Sequence, residues 1–78
     1  MSKLRAADGR KIVKALQKIG FEPLRQRGSH VILKHPDGRV TVVPVHEGEV
    51  IGRGLLRTII RDTGPTKDQF MQILDELP

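Results

Sequence analysis

The sequence predicts an α+β fold: one helix, a three-stranded antiparallel sheet, then two more helices. Three observations carry that prediction. Apolar residues recur at helical spacing near the start, Val31-Ile32-Leu33 and Val40–Val45 flank the turn Pro36-Asp37-Gly38, and Gly64-Pro65 separates two further apolar periodicities. At 78 residues there is room for one domain, residues 1–78, with no internal repeat and no dividing linker.

The first helix opens near Asp8, whose carboxylate can accept from exposed backbone N–H groups as an N-cap. Ile12, Val13, Leu16 and Ile19 form its apolar stripe, opposite Lys11, Lys14, Gln17 and Lys18. Gly20 stops it because glycine tolerates the left-handed conformation just past a helix end, and Phe21 folds back onto the stripe. Three strands follow. The first, about Glu22 to Arg27, contains Pro23 and suits an edge. Gly28-Ser29 turns the chain into the second, His30 to about His35. Val40 to Val45 is the third, with Pro44 at its edge or end.

Alternation along the second strand places Val31 and Leu33 on one face and His30, Ile32 and Lys34 on the other. With the first pair facing the helices, His30 points away from the core. After the loop His46-Glu47-Gly48-Glu49, a second helix starts in Ile51–Arg57 and runs to about Asp62, with Leu55, Leu56, Ile59 and Ile60 inward. Thr66-Lys67-Asp68-Gln69 has the form of a capping box and opens a last helix whose apolar side is Phe70, Ile73, Leu74 and Leu77. The α-β-β-β-α order with an extra C-terminal helix is similar to a double-stranded-RNA-binding domain, with one sheet face covered by helices and the other left for a partner.

Composition narrows the function. The only aromatics are Phe21 and Phe70, so the core is built from Val, Ile and Leu. Fourteen Lys and Arg against nine Asp and Glu give a net charge of +5, which favours an anionic partner: nucleic acid, an acidic protein or an anionic membrane surface, with a merely solvated basic surface as the plain alternative. The absence of cysteine excludes disulfides and thiolate chemistry and points to a reducing compartment. Met1–Arg5 lacks the apolar run of a signal peptide and no stretch reaches transmembrane length, so a cytoplasmic protein without membrane attachment is expected.

His30, His35 and His46 sit on different local elements and do not have zinc-site spacing, and no phosphate-cradling glycine loop follows a strand. No metal and no cofactor is expected. Ser29 and His30 are adjacent in a strand and point apart, which argues against a Ser-His pair. RNA cleavage needs less. The 2′-hydroxyl is an internal nucleophile, one base must take its proton, and cations must steady the charged phosphorus centre. Histidine titrates near neutrality and can serve as that base or as the acid for the leaving oxygen. Arg25, Arg27, Lys34 and Arg39 lie in or beside the strands, and Gly28 leaves room for a phosphate backbone. On the residues alone an ordinary surface histidine remains the plainer reading of His30.

Arg27-Gly28-Ser29-His30, then Leu33-Lys34-His35-Pro36, Val43-Pro44-Val45-His46 and Gly52-Arg53-Gly54-Leu55-Leu56-Arg57-Thr58-Ile59-Ile60, together with the helix ending Ile19-Gly20-Phe21, resemble the HicA toxin family. The resemblance runs from about Asp8 to the last helix. It departs at Gly54-Leu55, where many members have Gly-Thr, so a hydroxyl is missing at the start of the second helix. The resemblance implies a metal-independent endoribonuclease (an mRNA interferase) that cleaves mRNA as the toxin of a toxin–antitoxin pair, with His30 matching the catalytic histidine. It also implies a HicB-like antitoxin that covers the active face. RNA contacts are then expected from Arg25, Arg27, Gly28, Ser29, Lys34, Arg39 and His46, and from Arg53 and Arg57 at the start of the second helix, where N–H groups attract phosphate. The competing classes are a non-catalytic RNA-binding module and a pure protein-interaction domain. With almost no aromatics for base stacking, weak sequence preference and strongly salt-dependent RNA binding are expected.

Overall fold

The computed structural model describes residues 7–46 and 48–77. The start Met1–Arg5, read above as lacking a signal peptide, and Glu47 of the expected loop lie outside the described residues. The elements in order are β1 (Ala7–Asp8), α1 (Gly9–Lys18), β2 (Glu22–Arg27), β3 (His30–Lys34), β4 (Val40–Pro44), β5 (Val50–Ile51), α2 (Arg53–Thr63) and α3 (Lys67–Glu76). Strands β2, β3 and β4 form the expected three-stranded antiparallel sheet, and β1 pairs with β5 as a separate ribbon. Helices α1 and α2 pack on the sheet, and α3 packs on α1 and α2.

The local signals act as read. Asp8 Oδ1 accepts from the Arg10 N–H at 2.7 Å and caps α1. At the other end Gly20 takes φ 101°, its N–H donates to the Gln17 carbonyl at 3.2 Å, and the Phe21 N–H donates to that of Leu16 at 3.0 Å. This paired reversal satisfies two helix-end carbonyls and delivers Phe21 into the core, where it is fully buried. In α3 the Thr66 hydroxyl accepts from the Gln69 N–H while the Gln69 amide accepts from the Thr66 N–H, so both halves of the capping box are present.

Ile12, Leu16, Phe21, Leu33, Val43, Leu56, Ile59 and Phe70 make the centre of the core. Three expectations are corrected. Ile51 belongs to the β1–β5 ribbon, so α2 begins at Arg53. Leu55 is 43% exposed rather than inward, because the buried stripe of α2 is Leu56, Ile59, Ile60 and Thr63. Finally, β3 stops at Lys34: His35 has left the strand to frame the Pro36-Asp37-Gly38 turn, its carbonyl accepting from the Gly38 N–H at 2.9 Å.

Candidate nucleic-acid interface

The hairpin joining β2 to β3 positions His30. Its two-residue loop, Gly28-Ser29, needs a positive φ at the first position, and Gly28 supplies it at 57°. A Cβ at Gly28 would meet nothing within 4 Å, so the backbone angle rather than space demands glycine there. The Ser29 carbonyl accepts from the Val45 N–H at 2.6 Å and ties the hairpin to the end of β4. His30 therefore sits in a fixed row: Arg27 is its partner in β2 and Pro44 its partner in β4. Cross-strand partners lie on one face with Cβ atoms about 4.5–5.5 Å apart.

That face is the one the core leaves uncovered. In β3, Val31 and Leu33 are buried while His30 and Lys34 are exposed and Ile32 is partly so. The next row along is Arg25, Ile32 and Val42, so Arg25 is a diagonal neighbour of His30. The His30 imidazole has no hydrogen-bond partner among the described residues and is open to a ligand. Arg25, Arg27, Gly28, Ser29 and His30 are thus brought together at one end of the sheet.

The other site candidates fall into two groups. His46 follows two residues after Pro44, with Nδ1 3.9 Å from Glu49 Oε1. It shares a recess of about 160 Å³ with Pro44, Gly52 and Leu55, which explains the exposure of Leu55: its side chain walls this recess. Gly52 is the N-cap of α2 and makes no side-chain cap; Leu55, read above as the position of a missing hydroxyl, lies inside the helix rather than at its cap. Arg53 begins α2 beside this recess and Arg57 follows one turn later; both are exposed. So His46 and the start of α2 adjoin the Pro44 end of the His30 row.

Lys34 and Arg39 lie elsewhere. Lys34 is at the far end of β3, about 13 Å along the strand from His30. Arg39 is farther still and is held in a cluster of its own. Its Nε donates to both Asp37 carboxylate oxygens, at 2.8 and 3.1 Å, one of its terminal nitrogens donates to the Thr63 carbonyl at the end of α2, and its guanidinium lies 5.2 Å from the Phe21 ring centre. His35 completes the cluster, edge-on to Phe21 and with Nδ1 accepting from the Asp37 N–H. The Arg39 side chain donating to the Asp37 carboxylate, helped by the Arg39 backbone N–H, holds that carboxyl well below the usual range, at about 2.

Sequence reasoning did not single out Pro44 or Leu55 as parts of the site. Pro44 enters through strand register, and Leu55 through a packing angle that periodicity does not encode. Among the described residues no three His, Asp or Glu side chains converge to hold a metal ion, and no helix is long and apolar enough to cross a membrane. No curated protein matches the chain. The family model of the HicA toxin of bacterial toxin-antitoxin systems matches residues 9–64, which takes in α1, the whole sheet, His30 and α2.

Proposed function

The chain belongs to the HicA toxin family, and from that premise we propose that it is an endoribonuclease that cleaves mRNA with His30 as its acid–base residue. The observation that carries the reading is the row Arg27–His30–Pro44: an exposed imidazole beside a guanidinium, on the sheet face the helices leave bare. In the step we assign to it, neutral His30 takes the proton of a ribose 2′-hydroxyl and the oxygen attacks the adjacent phosphorus. The P–O5′ bond breaks, and the imidazolium returns its proton to the leaving 5′ oxygen directly or through water. Products are a 2′,3′-cyclic phosphate and a 5′-hydroxyl. Nothing in that balance calls for a metal or a cofactor.

Arg27 and Arg25 would hold the phosphate oxygens as charge gathers on them, since a guanidinium presents paired donors to phosphate. The uncapped start of α2, with Arg53 and Arg57, and His46 would bind the flanking phosphate on the Pro44 side. Gly28 and Ser29 shape the loop over which the backbone passes. We assign Lys34 to a more distant contact along the strand and Arg39 to the fold. As partner we propose a HicB-like antitoxin that covers the bare face, where exposed Val40 and Val42 give it apolar ground, and the cytoplasm as the place of action.

The test is His30→Ala in the purified chain. The substitution should lower RNA cleavage by about a hundredfold or more and remove growth arrest, while leaving the melting temperature and RNA affinity near wild type. Full cleavage by chelator-treated His30→Ala protein would overturn the assignment. Equal RNA binding with no cleavage by the unmodified chain would make it a binding module instead.

A further inference from the structure

On the helix side of the same hairpin lies a cleft of about 430 Å³ that the cleavage step does not use. Arg10, Lys14 and Gln17 of α1 form one wall, Gln26 of β2 stands opposite, and Val13 and Val31 make the floor. We infer that this cleft is a second RNA subsite, which holds a nucleotide beyond the one that reacts at His30. The identity of the ligand rests on the RNA reading above; the site itself rests on the following geometry.

The volume falls within the roughly 300–1,000 Å³ typical of small-ligand clefts. Its chemistry matches the three parts of a nucleotide. Two cations can take the phosphate, an apolar floor can take the face of a base, and two amides offer the mixed donor–acceptor edges that read base edges. These groups are unspent. The side chains of Arg10, Lys14 and Gln17 make no hydrogen bond or ion pair among the described residues. Gln26 Nε2 donates to the Gly28 carbonyl at 2.9 Å, which fixes the amide and leaves its oxygen as an acceptor. Helix α1 carries Arg10, Lys11, Lys14 and Lys18 and not one carboxylate, so nothing in its own sequence neutralises the wall.

Position joins the cleft to the active face. Gln26 pairs with Val31, immediately beside the Arg27–His30 pair. Successive strand residues point to opposite faces, so cleft and imidazole lie back to back across the hairpin end. β2 is an edge strand and the space around Gly28 is open. An RNA strand can therefore leave the His30 row, round the Gly28-Ser29 tip and enter the cleft. An acidic peptide would satisfy the two cations but gives no reason for the cleft to adjoin the imidazole.

The experiment measures binding of a 2′-O-methyl decanucleotide, which has no free 2′-hydroxyl to react, by fluorescence anisotropy over a salt series. Arg10→Ala/Lys14→Ala should bind about tenfold more weakly at low salt, with a salt slope shallower by roughly 1.4, from about 0.7 per lost contact on a single strand. Gln17→Glu, which places a carboxylate in the wall, should bind several-fold more weakly. All three positions are exposed, so circular-dichroism melts should match wild type. Unchanged affinity and slope would overturn the subsite, and so would a loss confined to acidic peptides. If the wild-type chain binds through the cleft and cuts no RNA, the nuclease reading fails and the subsite stands. If it cuts RNA and the variants bind normally, the reverse holds. No RNA binding at low salt would overturn both.

Discussion

Gly9→Ala tests how closely α1 must approach the sheet. Gly9 is buried at the start of α1, and a Cβ there would lie 1.9 Å from the Pro44 carbonyl oxygen and 3.1 Å from the Val45 Cα. Both neighbours are backbone and cannot rotate aside. Relief requires α1 to withdraw from β4 by roughly 1 Å, and a gap of that size forfeits about a quarter to a half of the dispersion well for each contact it opens. Ile12, Ala15 and Leu16, all fully buried, share the loss. Overpacking of this kind costs about 1–3 kcal/mol, while alanine returns about 0.4–1 kcal/mol through the unfolded chain. The net loss is about 1.3 kcal/mol against a total of about 4–12 kcal/mol for a domain of this length.

A loss of that size lowers the melting temperature by about 5–10 °C. The assay is thermal and urea denaturation followed by helical ellipticity. Gly54→Ala is the control: it also lies in a helix at negative φ, but its Cβ would meet nothing within 4 Å, so it should raise the melting temperature by a few degrees. A Gly9→Ala melt within about 2 °C of wild type, on a scale of about 4–8 °C per kcal/mol, would refute the close-approach argument. The position matters for function too. The carbonyl that Gly9 accommodates belongs to Pro44, the residue flanking His30 in its row.

Arg39→Ala removes the donor to the Thr63 carbonyl, the partner of Asp37 and the cation over Phe21; with a side chain 40% exposed, the combined loss should be only about 1 kcal/mol, read as a melt lowered by about 4–8 °C. No change would mean that water replaces those contacts. Asp37 should also shape the acid limb. Its folded carboxyl titrates at about 2, below the usual value of about 3.9, so the stabilisation is full above about pH 4 and is lost as pH falls through about 2. The urea midpoints of wild type and Asp37→Asn should therefore converge between pH 5 and 2, and a constant gap would sink this linkage. For RNA binding, contacts from Arg25, Arg27, Arg53 and Arg57, with Arg10 and Lys14 in the cleft, give a log–log salt slope of about −4 on a single strand; a slope near zero would exclude phosphate-led binding.

The features legible in the sequence were those settled locally. Asp8, Gly20 and Thr66 act on backbone within a turn of themselves, so the ends of α1 and the start of α3 could be read directly. The outward direction of His30 follows from a period of two once Val31 and Leu33 are assigned to the core. What depends on distant partners could not be read this way. The bounds of β2, Glu22–Arg27, were legible, but its exposure throughout and its register shift between Pro23 and Arg25 depend on pairing with β3 and were not. β1 and β5 are two residues each, too short for any period, and appear only because Ala7 meets Ile51. Arg39 looked like one more strand cation because Phe21 and Thr63, its partners, are far away in sequence. The cleft was hidden for the same reason, with Gln26 brought to Arg10 and Lys14 only by the docking of α1.

Charge placement gives the two faces of the hairpin end a common logic. Residues 9–21 and 25–34 contain no carboxylate, and they include Arg10, Lys14, Arg25, Arg27 and His30. The acids of α3 are Asp68, Asp75 and Glu76, and Asp75 lines a recess with Lys11 on the other flank of α1 from Arg10 and Lys14. The α3 acids and the hairpin cations thus lie on opposite flanks of α1, and screening, with a length of about 8 Å at physiological salt, weakens interactions between exposed charges set farther apart than that. A net charge of +5 understates the local field, which draws polyanions to the end of the sheet that holds the imidazole. Neutralising Arg27 should consequently slow RNA association by more than reversing Glu76 speeds it, although the reversal is the larger change in net charge.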